Sequence, residues 1–300
     1  MGKSEFDVLH YLRGSKDYAA LDFLASVLRG KGGNLQLIYV DERFPDIEDD
    51  SRRKLARKQH EETEKLEAKD VVNRAKAKLR ETAPNFSVSS HTALGDPVEE
   101  LLGQLDRNAF DLLSLEAHGR GGFRKNILGV HVNEFVQETP IPTIVHKGEQ
   151  RNCERILIHV PNDRDRCADL LTYLTELFQG SDVAITLLTI LTDGGEKFEG
   201  YISGEEDYLK RSIENYDRDE FGYLDIARKI LNDRDLEAEV RYRIGVTQEE
   251  ILTEAKEGRY DLMAFSPKKE NILSSLWSGD KSLNLMQEID ISLLKYPEST

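Results

Sequence analysis

The sequence predicts an α/β protein made of two tandem domains, each a parallel, doubly wound sheet flanked by helices. Three observations carry this expectation. First, "GDPVEELLGQLDRNAFDLLSL" from Gly95 and "GVTQEEILTEAKEGRYDLMAF" from Gly245 keep step through Asp111 and Asp261, at an offset of 150 residues. A repeat of that length points to one architectural unit present twice. Second, the offset recurs between "LQLIYV" (Leu35 to Val40) and "ITLLTI" (Ile185 to Ile190), and between Gly129 and Gly279. Third, short apolar runs alternate with segments of helical spacing, the pattern of strand and crossover helix.

In the first half, Asp7 to Leu12 reads as a strand and Asp17 to Leu28 as a helix, with Leu21, Leu24 and Leu28 on one face. Leu35 to Val40 is a nearly continuous apolar run, as expected of a strand covered on both faces. A long charged helix follows within Ser51 to Arg80, then a strand at Phe86 to Thr92, a helix at Val98 to Arg107 and a strand at Leu112 to Leu115. A helix at Val132 to Gln137 and a strand at Thr143 to Val145 close the half. The opposite charges within Ser51 to Arg80 fall at helical neighbour spacings, which suits a solvated helix face.

The second half repeats the order, opening with the strand "RILIHV" near Ile156, which departs by a residue or two from the 150-residue register with "DVLHYL" near Val8. Its helices are expected near Asp165 to Phe178, Glu206 to Ile213, Leu224 to Leu231 and Gln248 to Ala255. The boundaries are residues 1–148 and 154–300, joined by the polar "KGEQRNCE" from Lys147 to Glu154. Helices of both halves begin with paired acids, Glu99-Glu100 and Glu249-Glu250, where the helix dipole favours negative charge.

Composition narrows the function. At 300 residues, with 39% hydrophobic and 32% charged residues, the chain has ample material for a core. A formal net charge of −15 opposes nucleic acid or an anionic membrane as a partner. Two cysteines, Cys153 and Cys167, form no CxxC pair, so neither a disulfide framework nor a zinc site is implied. No window reaches the length of a membrane span, and no signal peptide is recognisable, so a cytoplasmic protein without membrane insertion is expected. The seven histidines are scattered, and no strained GxSxG elbow occurs. Neither a metal nor a side-chain nucleophile is therefore expected. His10 and His159 stand at comparable places on the two first strands, and Leu273, Leu276 and Trp277 suggest a packed helix face.

The stretches "VLHYLRGSKDYAALDFLASVLRGKGGNLQLIYVDER", "ALGDPVEELL" and "DLLSLEAHGRGGFRKNILGVHVNEFVQETPIPTIVH", in this order, resemble the universal stress protein family. The resemblance covers both halves. It implies five-stranded, mainly parallel sheets of the adenine nucleotide alpha hydrolase-like fold. Such domains usually pair through their last strands, so two in one chain would pair with each other, or the chain would form a homodimer. Family members that bind ATP carry G-x2-G-x9-G-[Ser/Thr] after the fourth strand and an Asp at the end of the first. Glycines let backbone N–H groups reach the phosphates, the following helix N-terminus favours negative charge, and the hydroxyl donates to a phosphate oxygen.

On the first half this loop reads Glu116-x2-Gly119-x9-Gly129-Val130, with Arg13 in place of the adenosine-side Asp. Gly119 and Gly129 are kept, and His118, Arg120, Gly121 and Gly122 leave the turn open and partly basic. Glu116 brings a carboxylate to the phosphate side, where two like charges about 4 Å apart repel by about 4 kcal/mol at an effective dielectric of 20. Micromolar affinity is worth about 8 kcal/mol, so half of it would be lost. The second half reads Ser266-x2-Lys269-x9-Gly279-Asp280, with Pro161 near the first-strand position.

Arg13, Val40, Glu116, His118, Gly119, Arg120, Gly129, Val130, Lys269 and Gly279 are the candidate ligand-binding residues, with no catalytic residue among them. The expected function is non-catalytic: a stress-response protein that binds a small molecule or a protein partner, with both ATP loops degenerate and no required cofactor. Two alternatives stand beside it. One is a sensor that takes ATP or another adenine nucleotide in the first half. The other is the cytosolic regulatory part of a membrane transporter, since domains of this kind occur fused to permeases.

Overall fold

The computed structural model describes residues 3–12, 18–41, 68–117, 136, 139–191, 222–267 and 289–298. The first half contains β1 (Glu5–Leu12), α1 (Ala19–Val27), β2 (Gly32–Asp41), α2 (helical over 68–82), β3 (Phe86–Leu94), α3 (Pro97–Arg107), β4 (Leu112–Glu116) and β5 (Thr143–His146). The second contains β6 (Arg155–His159), α4 (Arg164–Phe178), β7 (Ala184–Leu191), α5 (Gly222–Asn232), β8 (Ala238–Ile244), α6 (Thr247–Glu257), β9 (Leu262–Phe265) and β10 (Ser292–Lys295). The expected strands and helices therefore appear with ends shifted by a few residues. The helices expected at Val132 to Gln137 and Glu206 to Ile213, and the face around Trp277, lie outside the described residues, Val136 apart.

All ten strands form one sheet in the order β3-β2-β1-β4-β5-β10-β9-β6-β7-β8. Every neighbouring pair is parallel except β5 and β10, which run antiparallel. Their register places Leu293 opposite Val145, Leu294 opposite Ile144 and Lys295 opposite Thr143. Shifting any of these residues by 150 exchanges the two sides of the ladder, so a local two-fold axis passes between Ile144 and Leu294. The internal pairing of last strands implied by the resemblance is present.

Alternation along the strands separates two apolar faces. On one, Val8, Leu112, Ile144, Ile156, Leu262 and Leu294 meet α1, α2, α4 and α5. On the other, Leu9, Leu113, Val145, Leu157, Met263 and Leu293 meet α3 and α6. Each face runs through both halves, which is why both faces of the central strands read as apolar runs. The described part of α2 buries Ala68, Val71, Val72, Ala75 and Leu79 and turns the Asp70–Arg74 ion pair outward.

The repeat also shows in local chemistry. Gly95 and Gly245 have φ of 143° and 148°, a region open to glycine, and their N–H groups donate to Asp41 O and Leu191 O. Asp111 accepts the Asp7 N–H at 2.8 Å, and Asp261 accepts those of Glu154 and Arg155 at 2.8 and 2.9 Å. These aspartates pin the start of the fourth strand of each half to the start of its first.

One expectation is corrected. His10 lies opposite Ser114, whereas Ile158 lies opposite Ala264, the residue 150 beyond Ser114. The first strands thus repeat at 148, and His159 corresponds to Tyr11. The two histidines lie on opposite faces of the sheet, because one residue of slip reverses a strand's sides.

Candidate functional site

In an open α/β sheet, ligands settle outside the carboxyl ends of strands where the winding order reverses. The first half winds from β1 outward to β3, then returns to β4 on the other side, so its switch point lies between β1 and β4. In the second half it lies between β6 and β9. Because β5 and β10 are antiparallel, the two switch points open at opposite ends of the strands.

At the first switch point Leu12 ends β1 and Glu116 ends β4. Glu116 is half-buried and lies opposite His146 on β5, while the Ala117 N–H donates to His146 O at 2.9 Å. Val40, near the end of β2, is buried in the sheet face that carries Leu9 and Leu113. Its side chain is therefore core. Of the other candidates, Arg13, His118, Gly119, Arg120, Gly129, Val130, Lys269 and Gly279 lie outside the described residues.

Beneath this end is a polar cluster that sequence reasoning did not assemble. His10 Nδ1 and Ser114 Oγ are 3.0 Å apart, and the His146 ring stands edge-on to Phe23 at 5.1 Å. Burial, and then the nearby His146, lower the His10 pKa from 6.5 to about 3. His10 is accordingly a neutral core residue at physiological pH. Neighbouring strands brought these side chains together, and only their register could have revealed it.

The second switch point is filled by the chain itself. Asp163 caps α4 by accepting the Arg166 N–H at 2.9 Å, which fixes the start of that helix. The Arg166 guanidinium then donates to the carbonyl of Ser266, just beyond β9, and lies 3.9 Å from the Glu298 carboxylate beyond β10. His159, at the end of β6, has its pKa lowered to about 4 by burial and by the Arg166 charge. A cation, a helix start and the end segment thus meet where a ligand of the second half would sit. Arg166 went unnoticed in the sequence because it stands in a charge-rich stretch, "NDRDRCAD".

A second charged group braces the far edge of the sheet. Glu254 on α6, 1% exposed, accepts from Arg243 Nε and Tyr260 Oη, both at 2.7 Å. Glu250 and Glu257 flank it on the same helix and also meet Arg243. Glu250, assigned to the helix dipole from sequence, therefore has a second role. Spacing of i, i+4 and i+7 on the helix, opposite alternating arginines on a strand, was the available signal. Among the described residues, no group of three or more His, Cys, Asp or Glu is placed to hold a metal ion.

Comparison with known proteins agrees with this architecture. Residues 13–147 match the model of the universal stress protein family. A search of curated proteins returns no match. Among solved structures, a universal stress protein from Archaeoglobus fulgidus DSM 4304 is 11% identical, with 98% of this chain and 97% of that chain covered and a TM-score of 0.61. A putative universal stress protein from Pseudomonas aeruginosa UCBPP-PA14 is 14% identical over 97% of this chain and 93% of that one, with a TM-score of 0.63. The cytoplasmic domain of a prokaryotic cation chloride cotransporter is 11% identical over 97% and 95%, with a TM-score of 0.50. At these identities the structures establish a shared fold. Residues 13–147 carry the match to the universal stress protein family, and the second half repeats the fold of the first.

Proposed function

We propose that the protein acts in the cytoplasm in a stress response, without catalysis, by binding a small ligand or a protein partner. The family and the fold support a stress-response or regulatory role. The observation that favours a binding role without ATP is the pair of switch points: Glu116 ends β4 at one, and Arg166 spans the other to Ser266 and Glu298. Placing a nucleotide's phosphates at the first would bring them toward the Glu116 carboxylate, and at the second Arg166 would have to leave Ser266 and Glu298 to meet them.

The test is calorimetric titration with ATP of the natural protein and of the double variant Glu116→Gly, Val130→Ser. On this reading the natural protein does not bind at millimolar ATP. ATP turnover by the pure protein that disappears when Gly119 is replaced by a bulky residue would overturn it. A double variant that gains ATP binding identifies a site weakened by these two residues; a double variant that gains none means that the loop's ligand is not ATP.

A second reading is favoured by one finding, the likeness over nearly the whole chain to a cotransporter's cytoplasmic domain. Here the tandem sheet would regulate a membrane transporter. Among the described residues no helix is long and apolar enough to cross a membrane. The reading frame tests this: a block of membrane helices upstream supports this reading, and a stop codon there refutes it.

A further inference from the structure

The antiparallel seam between β5 and β10 buries two lysines on the face that carries Val145 and Leu293. Lys147 is 7% exposed and Lys295 is 4% exposed. Each reaches across to the other half. Lys147 Nζ donates to Ile289 O at 2.5 Å, and Lys295 Nζ donates to Thr139 O at 3.0 Å and Val136 O at 2.8 Å. Thr139 and Ile289 are 150 residues apart and occupy the same place, the buried residue that leads into the last strand of each half. The lysines themselves are not repeat equivalents, since Lys295 corresponds to Val145. Two different positions therefore make the same clasp.

Asp290 raises the pKa of Lys147 against the larger effect of burial, and the cleft of about 370 Å³ beside it is lined also by Glu149, Gln150 and Asp261. Asp261 is engaged by Gln150 and by two backbone N–H groups. Lys295 is flanked in the ladder by Phe265 and Thr143, and among the described residues burial alone shifts it. Taking an ammonium out of water favours its neutral form.

We propose that the β5–β10 seam is a pH-sensitive joint: its two lysine clasps hold buried charge at neutral pH, and the halves grip each other more tightly as that charge is lost. Burial lowers both amines from 10.5 to about 8. An opened seam returns them to water and to their ordinary value, so between about pH 8 and 10.5 the open form binds more protons than the closed one. Rising pH therefore disfavours opening, by up to about tenfold per pH unit for each lysine. Below pH 8 both forms are protonated and the effect vanishes. Lys147 directly follows His146, whose carbonyl accepts the Ala117 N–H, so the joint is paired directly with β4, the strand that borders the first switch point.

Amide hydrogen exchange of the intact chain from pH 7 to 9.5, corrected for intrinsic rates, tests this. Protection at Thr143–His146 and Ser292–Lys295, relative to Val8–Leu12, should rise at least tenfold between pH 7.5 and 9.5. In Lys295→Met the logarithm of the rise should shrink by roughly half, so that the fold-rise falls to about its square root. A flat or falling ratio in the natural protein, or an undiminished rise in Lys295→Met, overturns the proposal. Should that variant fail to fold, Lys147→Met takes its place with the same two outcomes.

Discussion

Helices α3 and α6 are repeat equivalents that begin differently, and the difference gives a measurable stability. Asp96 precedes α3 with φ −78° and ψ 125°, and its carboxylate accepts the N–H groups of Val98 at 2.8 Å and Glu99 at 3.1 Å. Val246 precedes α6 with φ −75° and ψ 120°, nearly the same backbone, and offers no acceptor. It is also 58% exposed, so its removal sacrifices little burial. Val246→Asp should supply the missing cap and stabilise by about 1 kcal/mol, within the range of about 0.5 to 2 kcal/mol for such caps. Repulsion from Glu249 and Glu250 does not cancel this, because Asp96 caps α3 beside the corresponding Glu99 and Glu100. In a chain of 300 residues the melting temperature should rise by about 1.5–2 °C. The reverse change, Asp96→Val, should lower it by a similar amount. Thermal unfolding followed by far-ultraviolet circular dichroism measures both, and an unchanged or lowered melting temperature for Val246→Asp would refute the capping account.

Three further outcomes are expected. His10 has a folded pKa of about 3 against an ordinary 6.5, so its contribution is complete above pH 6.5 and is lost as pH falls toward 3; urea unfolding should show His10→Leu losing about 1 kcal/mol less than the natural protein between pH 7 and 5.5. Glu254→Leu takes the central carboxylate from Arg243, which keeps Glu250 and Glu257, and removes an acceptor from the Tyr260 hydroxyl, and should cost about 1–3 kcal/mol, whereas Glu254→Gln, which mimics the Gln104 of the first half, should cost less in the same assay. Gly33→Ala should cost at least about 2 kcal/mol, because φ is 125° and an added Cβ would come within 2.3 Å of Phe6 O; a soluble variant of unchanged melting temperature would contradict the register of β1 and β2.

The 150-residue repeat made the fold legible, because the offset binds strands and turns together, and the apolar runs of the inner strands survive in both halves. Strand ends were less so: β2 begins at Gly32, before any apolar residue, because pairing with Glu5 extends it. The slip of the first strands was legible in the sequence, with Val8 matching Ile156, but His10 and His159 stand one residue out of that register and so on opposite faces. At the candidate site Glu116 was legible from its place in a loop pattern. Arg166, Lys147 and Lys295 were not, because charged residues are ordinarily on surfaces and only topology shows which of them the two halves enclose. Val40 packs in the core face because alternation along β2 turns it inward.

The central claim, a binding protein without a working ATP site, is tested most directly by native mass spectrometry of the purified chain followed by titration with ATP, ADP and AMP. The expected result is the bare polypeptide mass and no heat of binding at millimolar nucleotide. One nucleotide retained per chain, lost when Arg13 is changed, would contradict it.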